Sequence, residues 1–207
     1  GAVRLGAASA SCPPQIDVVD ACQLVRRGEQ RGDRIGPGRR RSLRREVEQG
    51  DLEAEARVGQ LFRLGRGVPR NINIARHHYE KAARGGDPVG ELFLGWLYQQ
   101  GMGVDRNFAT ALDWYRKSAE QGNATAQNNI GYLYDEGLGV ARDYKEALAW
   151  YRKAAEQGEP AALFNLGFMY EEARGVARNT SEAFRYYREA ADRGHPEARR
   201  LLGMAAK

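Results

Sequence analysis

The chain has 207 residues, 42% of them hydrophobic and 29% charged, and 32 Lys+Arg against 27 Asp+Glu leave a net charge of +5. The ordinary apolar fraction excludes a wholly disordered chain, no run approaches the ~18 apolar residues a membrane span requires, and Cys12 and Cys22 are too few for a disulfide-dense scaffold or a four-cysteine zinc site. The charge excess is local. Nine arginines between 26 and 45 concentrate it in residues 23–49, so the protein-wide basic field of a nucleic-acid binder is absent.

Residues 1–36 read as an N-terminal segment and basic linker. Ala8-Ser9-Ala10 resembles the small-residue end of a cleaved export signal, which favours a periplasmic or otherwise exported chain over a cytoplasmic one. Cys12 and Cys22 stand ten residues apart. A disulfide between them would contribute ~2–3 kcal/mol and fit an oxidising compartment, and two independent reduced thiols fit the sequence as well. The arginine stretch 26–45 is broken by Gly28, Gly32, Gly36 and Pro37-Gly38, the pattern of a solvated linker. The alternative is a role against phosphate, a membrane surface or an acidic partner. Residues 37–49 read as a degenerate capping helix.

From residue 50 the chain repeats itself. Gly59, Gly95, Gly131, Gly167 and Gly203 are spaced by 36 residues, as are Val68, Val104, Val140 and Val176. Tyr79, Tyr115, Tyr151 and Tyr187 keep the same step, as do Ala83, Ala119, Ala155 and Ala191. Such a period marks a stack of supersecondary units. The units run 50–85, 86–121, 122–157 and 158–193, with a C-terminal capping segment over 194–207 whose helix is predicted at 195–206.

Inside a unit, Ala126, Ile130, Leu133 and Tyr134 have helical spacing behind Asn123 as N-cap. Asp51 and Asp87 occupy equivalent caps, while Glu159 and His195 cap less well. Pro88, Pro160 and Pro196 fall at the first helical position, where the missing N–H costs nothing. Gly137 can close the helix in the left-handed conformation. A second cap column, Asn71, Asn107, Asp143 and Asn179, opens a second helix that presents Ala147, Leu148, Tyr151, Ala154 and Ala155 on one face. Glycine in mid-helix at 59, 95, 131 and 167 costs about 1 kcal/mol relative to Ala. A bulky residue of the paired helix, such as Tyr79 or Tyr115, packed on the missing Cβ would offset it.

These columns resemble the Sel-1-like repeat, a branch of the tetratricopeptide superfamily. The likeness rests on PVGELFLGWLYQQGMGVDRNFATALDWYRKSAEQG at 88–122 and ATAQNNIGYLYDEGLGVARDYKEALAWYRKAAEQG at 124–158, and LRREVEQG at 43–50 falls in register with YRKAAEQG at 151–158. Ala173 departs from the family's C′ glycine, and His78 departs from Trp114 and Trp150. The resemblance implies an all-α, right-handed α-α superhelix of four 36-residue helix–turn–helix repeats with capping helices, acting as an adaptor or scaffold that holds another protein. The partner so implied is a secreted effector or envelope component. A sharper form of this is an immunity protein that neutralises a secreted toxin enzyme. Cysteine-rich members look like β-lactam-binding proteins, but this chain carries no cysteine in any repeat, so that activity does not transfer.

In such stacks the first helix of each pair lines the concave face. Placing Leu94, Ile130 and Leu166 inside puts three rows on that face. One is Gln60, Trp96, Tyr132 and Phe168. A second is Ala56, Leu92, Asn128 and Phe164. The third is Arg63, Gln99, Asp135 and Glu171, with Gln100, Glu136 and Glu172 beside it. The expected partner site is thus an aromatic ladder with an exposed acidic lip; the aromatics at 96, 132 and 168 could equally fill space between adjacent first helices. No catalytic constellation is legible, and no cofactor or metal is expected. His77 and His78 are adjacent and point about 100° apart, GLGV and GMGV are turns, and the carboxylate pairs are consecutive in sequence and unopposed across a cleft.

Overall fold

A computed structural model describes residues 37–204. The cleavage-like Ala8-Ser9-Ala10, the Cys12–Cys22 pair and the linker up to residue 36 lie outside the described residues. Among those described, ten α-helices and no strand follow one another: α1 Pro37–Glu48, α2 Leu52–Leu64, α3 Ile72–Arg84, α4 Pro88–Gln100, α5 Phe108–Glu120, α6 Ala124–Glu136, α7 Tyr144–Glu156, α8 Pro160–Glu172, α9 Thr180–Asp192 and α10 Pro196–Leu201. Helices α2/α3, α4/α5, α6/α7 and α8/α9 form four hairpins, with α1 packed on α2 at one end and α10 on α9 at the other. Each hairpin buries its inner faces on the next, which is the quasi-one-dimensional logic of a solenoid.

The caps fall where the side chains can accept. Asp51, Asp87 and Asn123 accept from the backbone N–H groups of Ala54, Gly90 and Ala126, and Glu159 makes no such bond. Asn71, Asn107, Asp143 and Asn179 do the same for the second helices. The α10 helix is shorter than the sequence pattern suggested: it stops at Leu201, and Gly203 takes φ 65° just beyond.

The mid-helix glycines have a steric cause. A Cβ on Gly59 would sit 2.6 Å from Tyr79 Cε1, and one on Gly131 would sit 2.7 Å from Tyr151 Cδ1. The same collision would meet Gly95 against Tyr115 and Gly167 against Tyr187. All four tyrosines are buried. Missing side chains on one helix therefore let the paired helix drive a ring against its backbone, and this contact spaces each hairpin.

Trp114 and Trp150, on the second helices, each pack against a core cluster that joins the first helix of their own hairpin to the preceding repeat: Leu94 and Leu97 with Phe62 and Tyr79 for the former, Ile130 and Leu133 with Leu112 and Tyr115 for the latter. Four buried clusters thus follow one another through the stack, linked by half-buried side chains such as Trp96, Tyr134 and Tyr186.

Candidate partner-binding face

The aromatic row on the first helices is present but not a continuous open ladder. Trp96 is half-buried and contributes to the cores of the first and second repeats. The Arg63 guanidinium covers it, 5.2 Å from its ring and 4.7 Å from that of Phe93. Phe168 lies under Arg174 at 4.8 Å. Between these two arginine-covered clusters Tyr132 stands open, 41% exposed.

The second row is a correction to the sequence reading. Leu92 and Asn128 are buried, the latter accepting a hydrogen bond from Asn165 Nδ2 at 2.9 Å. Neighbouring first helices approach closely enough to close over them. Phe164 reaches toward the C-terminal cap instead, stacking on His195 with centroids 4.5 Å apart and packing on Tyr187. With Glu197, Arg200 and Leu201 it lines a cavity of about 420 Å³.

The third row serves the buried tyrosines. Tyr115 donates its hydroxyl to Gln99 Oε1 at 2.5 Å, and Tyr187 donates to Glu171 Oε2 at 2.6 Å. Burial, with the Glu171 carboxylate beside it, raises the Tyr187 hydroxyl above its ordinary range. Asp135 is not part of an exposed lip. It is buried, and Arg174 Nη1 donates to it at 2.9 Å while reaching Glu136 at 3.3 Å. Arg174 stands where Met102 and Leu138 stand in the middle repeats, so a cation has replaced an apolar loop residue and drawn in the carboxylates. Gln100 and Glu172 are exposed, whereas Gln99, Glu136 and Glu171 are half-buried.

One polar cluster escaped sequence reasoning. Glu55, in the first turn of α2, is fully buried, and His78 Nδ1 lies 2.7 Å from its Oε2. Lys81 pairs with the other carboxylate oxygen. The His78 ring also stacks on Phe62. Burial pushes the Glu55 carboxyl up, but the hydrogen bonds and charges of His78 and Lys81 outweigh it and hold the group below the usual carboxylate value. The available signal was that His78 is the odd member of the column holding Trp114, Trp150 and Tyr186. Among the described residues no group of three or more His, Cys, Asp or Glu could hold a metal ion, and no helix is long and apolar enough to cross a membrane.

Four like hairpins stacked into one helical solenoid, with capped first helices presenting a mixed aromatic and polar face, define a helical-repeat protein. The Sel1 repeat model matches residues 52–87, 88–123, 124–159 and 160–195, and the chain belongs to the Sel1 repeat family. Sel1 repeat proteins are protein-interaction modules, and the fold is typically a non-enzymatic scaffold.

Among solved structures, a Sel1 repeat protein from Oxalobacter formigenes is 31% identical, covering 90% of this chain and 74% of its own, with a TM-score of 0.73. The immunity protein Pa5087 of Pseudomonas aeruginosa is 26% identical over 86% of this chain and 67% of its own, at TM-score 0.58. The immunity protein PA5088 of the same organism is 25% identical over 91% and 68%, at TM-score 0.57. No curated protein matches the chain.

Proposed function

We propose that the chain acts by clasping a partner protein along its first-helix face, with residues 50–193 as the binding unit and 37–49 and 194–207 as its caps. The observation that carries this reading is Tyr132, an aromatic ring left 41% exposed in a row whose neighbours Trp96 and Phe168 are roofed by arginines. Exposed aromatics flanked by polar groups are the usual anchors of protein interfaces. Gln100, Glu136, Glu171 and Glu172 would form the rim, and Gln99, Asp135, Leu92 and Asn128 would hold the face in shape from beneath.

Tyr132→Ala tests the reading. The ring packs on none of the core clusters, so helicity and unfolding midpoint should stay within about 0.5 kcal/mol of the parent. Affinity for a partner co-purified from the source organism should fall about tenfold or more, as expected for an anchor. Unchanged affinity would remove the first-helix face from consideration. Trp96→Ala is a poor probe, because that ring belongs to two cores.

A sharper reading is favoured by the likeness to two immunity proteins at 26% and 25% identity. On it the partner is a secreted toxin enzyme, held with nanomolar-class affinity and blocked, and the chain works after export to the periplasm. Protection of cells expressing the toxin, with the chain recovered in the periplasmic fraction, is the expected outcome. Micromolar binding without protection leaves the scaffold reading in its place. On either reading the chain turns over no substrate, and β-lactam and esterase assays should return background rates.

A further inference from the structure

The first-helix face carries two arginines lying over aromatic rings, and they are satisfied differently. Arg174 lies over Phe168 and Tyr144 and is bonded to Asp135 and Glu136. Arg63 lies over Phe93 and Trp96 in the same manner, yet no carboxylate pairs with it among the described residues, and its Nε is buried without a hydrogen-bond acceptor.

The tyrosine beneath it points the same way. In the second and fourth repeats the buried tyrosine donates its hydroxyl to a side-chain acceptor, Gln99 or Glu171. In the first repeat that position is Arg63, which only donates. Tyr79 is fully buried and its hydroxyl has no acceptor; burial pushes it up to about 12 against the lowering effect of the Arg63 guanidinium beside it, so it remains a proton donor at all ordinary pH values. Arg63 can offer this hydroxyl only a donor, so the Tyr79 O–H and the Arg63 Nε–H both lack an acceptor where the second and fourth repeats supply one. Leaving buried donors unmatched is costly, and a charged acceptor is the group that relieves both at once.

We propose that Arg63 and Tyr79 form an acceptor-seeking point at the N-terminal end of the face, which takes a glutamate or aspartate side chain from the bound partner. The proposal rests on the first-helix face being the binding face and adds a polarity to it. The partner segment runs with its acidic residue over the first repeat and its cationic residues toward Glu171 and Glu172 at the fourth. The rings of Phe93 and Trp96 hold the guanidinium in place before the partner arrives, so little side-chain freedom is lost on binding.

The test uses short, terminally blocked peptides identical except for one central Glu or Gln, and a third with the Gln and a free C-terminal carboxylate. They are titrated into the ¹⁵N-labelled chain while the Arg63 Nε–H signal is followed. The Glu peptide should bind about tenfold tighter than the Gln peptide and shift that signal. The preference should vanish in Arg63→Met, which keeps cover over the rings, and return in Arg63→Lys. Equal binding of the Glu and Gln peptides, no binding of either, or a Glu preference that survives Arg63→Met overturns the assignment. A stronger response to the free C-terminus than to Glu overturns the side-chain source. Tyr132→Ala, run in parallel, separates the two failures. If it weakens both peptides while Arg63→Met does nothing, the face stands and the anion point falls. If neither variant matters, both fall.

Discussion

The first and third repeats solve one packing problem with different chemistry. Both set a tyrosine ring on a glycine of the paired helix, Tyr79 on Gly59 and Tyr151 on Gly131. One residue earlier on the second helix they part. Trp150 packs against the core cluster that joins its own first helix to the preceding repeat and carries Lys153 on its face at 4.3 Å. His78 turns to a buried carboxylate, Glu55, with Lys81 closing the other oxygen. In the third repeat the counterpart of Glu55 is Gln127, which accepts from Gln157 at 2.8 Å with no charge involved. The contact that sets hairpin spacing is thus invariant, while the polar filling beside it is free to drift so long as its donors and acceptors match.

The invariant contact should cost most when broken, and equally in both places. Tyr79→Ala and Tyr151→Ala each remove a fully buried ring and leave a cavity against a glycine, a loss of about 3–5 kcal/mol. Urea unfolding followed by circular dichroism measures it. A difference between the two variants beyond about 1 kcal/mol would mean that the first repeat leans on its cap more than on its own hairpin.

The variable filling should respond asymmetrically. His78→Ala strands a buried carboxylate, at a cost of about 3 kcal/mol. The double substitution Glu55→Gln with His78→Trp carries two of the three third-repeat residues into the first, Gly85 standing where Gln157 donates; it should cost less than about 1 kcal/mol, since no buried charge remains and Lys81 is still at hand as a donor. The reverse graft, Gln127→Glu with Trp150→His, should destabilise by more than about 2 kcal/mol, because it deletes the Trp150 packing and buries charge at once. Equal penalties for the two grafts would contradict the claim that only the spacing contact is fixed.

Much of this was legible in the sequence, because the repeat writes local contacts as columns. Gly59 and Tyr79 lie within one hairpin, so their 36-residue recurrence shows the pairing four times over. The cap residues are read by their neighbours along the same helix. The contacts that were missed occur once. Glu55 and His78 belong to different helices, and neither residue type recurs in register as a pair, so no period could flag them. Arg174 and Asp135 are 39 residues apart and meet only through the way one repeat sits on the next. That geometry buried Asp135, and it could not be read from the helical wheel that placed the residue on the open face.

The same column carries two buried carboxylates whose acid responses should oppose each other. Glu55 sits below its ordinary value of 4.5, so its contribution to stability is complete above that pH and drains away as pH falls from 4.5 toward its folded value. Glu91 is raised instead: burial dominates, and the Gln121 amide and Lys117 only partly compensate for it, with Asp87 and Glu120 adding to the rise. Its penalty is present above its folded value and is relieved as pH falls through that value toward 4.5. Glu55→Gln should therefore flatten the loss of stability on the acid side of 4.5, and Glu91→Gln should remove a small gain just above it. Urea midpoints taken across the carboxylate range report both, and slopes of the same sign would mean that the His78–Lys81 pairing does not hold Glu55 down.

The smallest effect concerns the turn after the first helix, where the fourth repeat differs from the other three. Gly65, Gly101 and Gly137 close their helices at φ 68–69°, and Ala173 does so at φ 57°, the only non-glycine at positive φ among the described residues. An L-residue in that region carries about 1–2 kcal/mol of steric cost, part of which glycine would return as greater freedom in the unfolded chain. Ala173→Gly should then stabilise by roughly 0.5–1 kcal/mol, visible as a small rise in the urea midpoint. The complementary change, Gly137→Ala, should lose more than its mirror gains, because the new Cβ would also come within 3.1 Å of Arg142 Cβ. If instead Ala173→Gly lowers the midpoint, the alanine is aiding the fold through the placement of Arg174 on Asp135, and the turn would have to be counted with that ion pair instead of with the backbone.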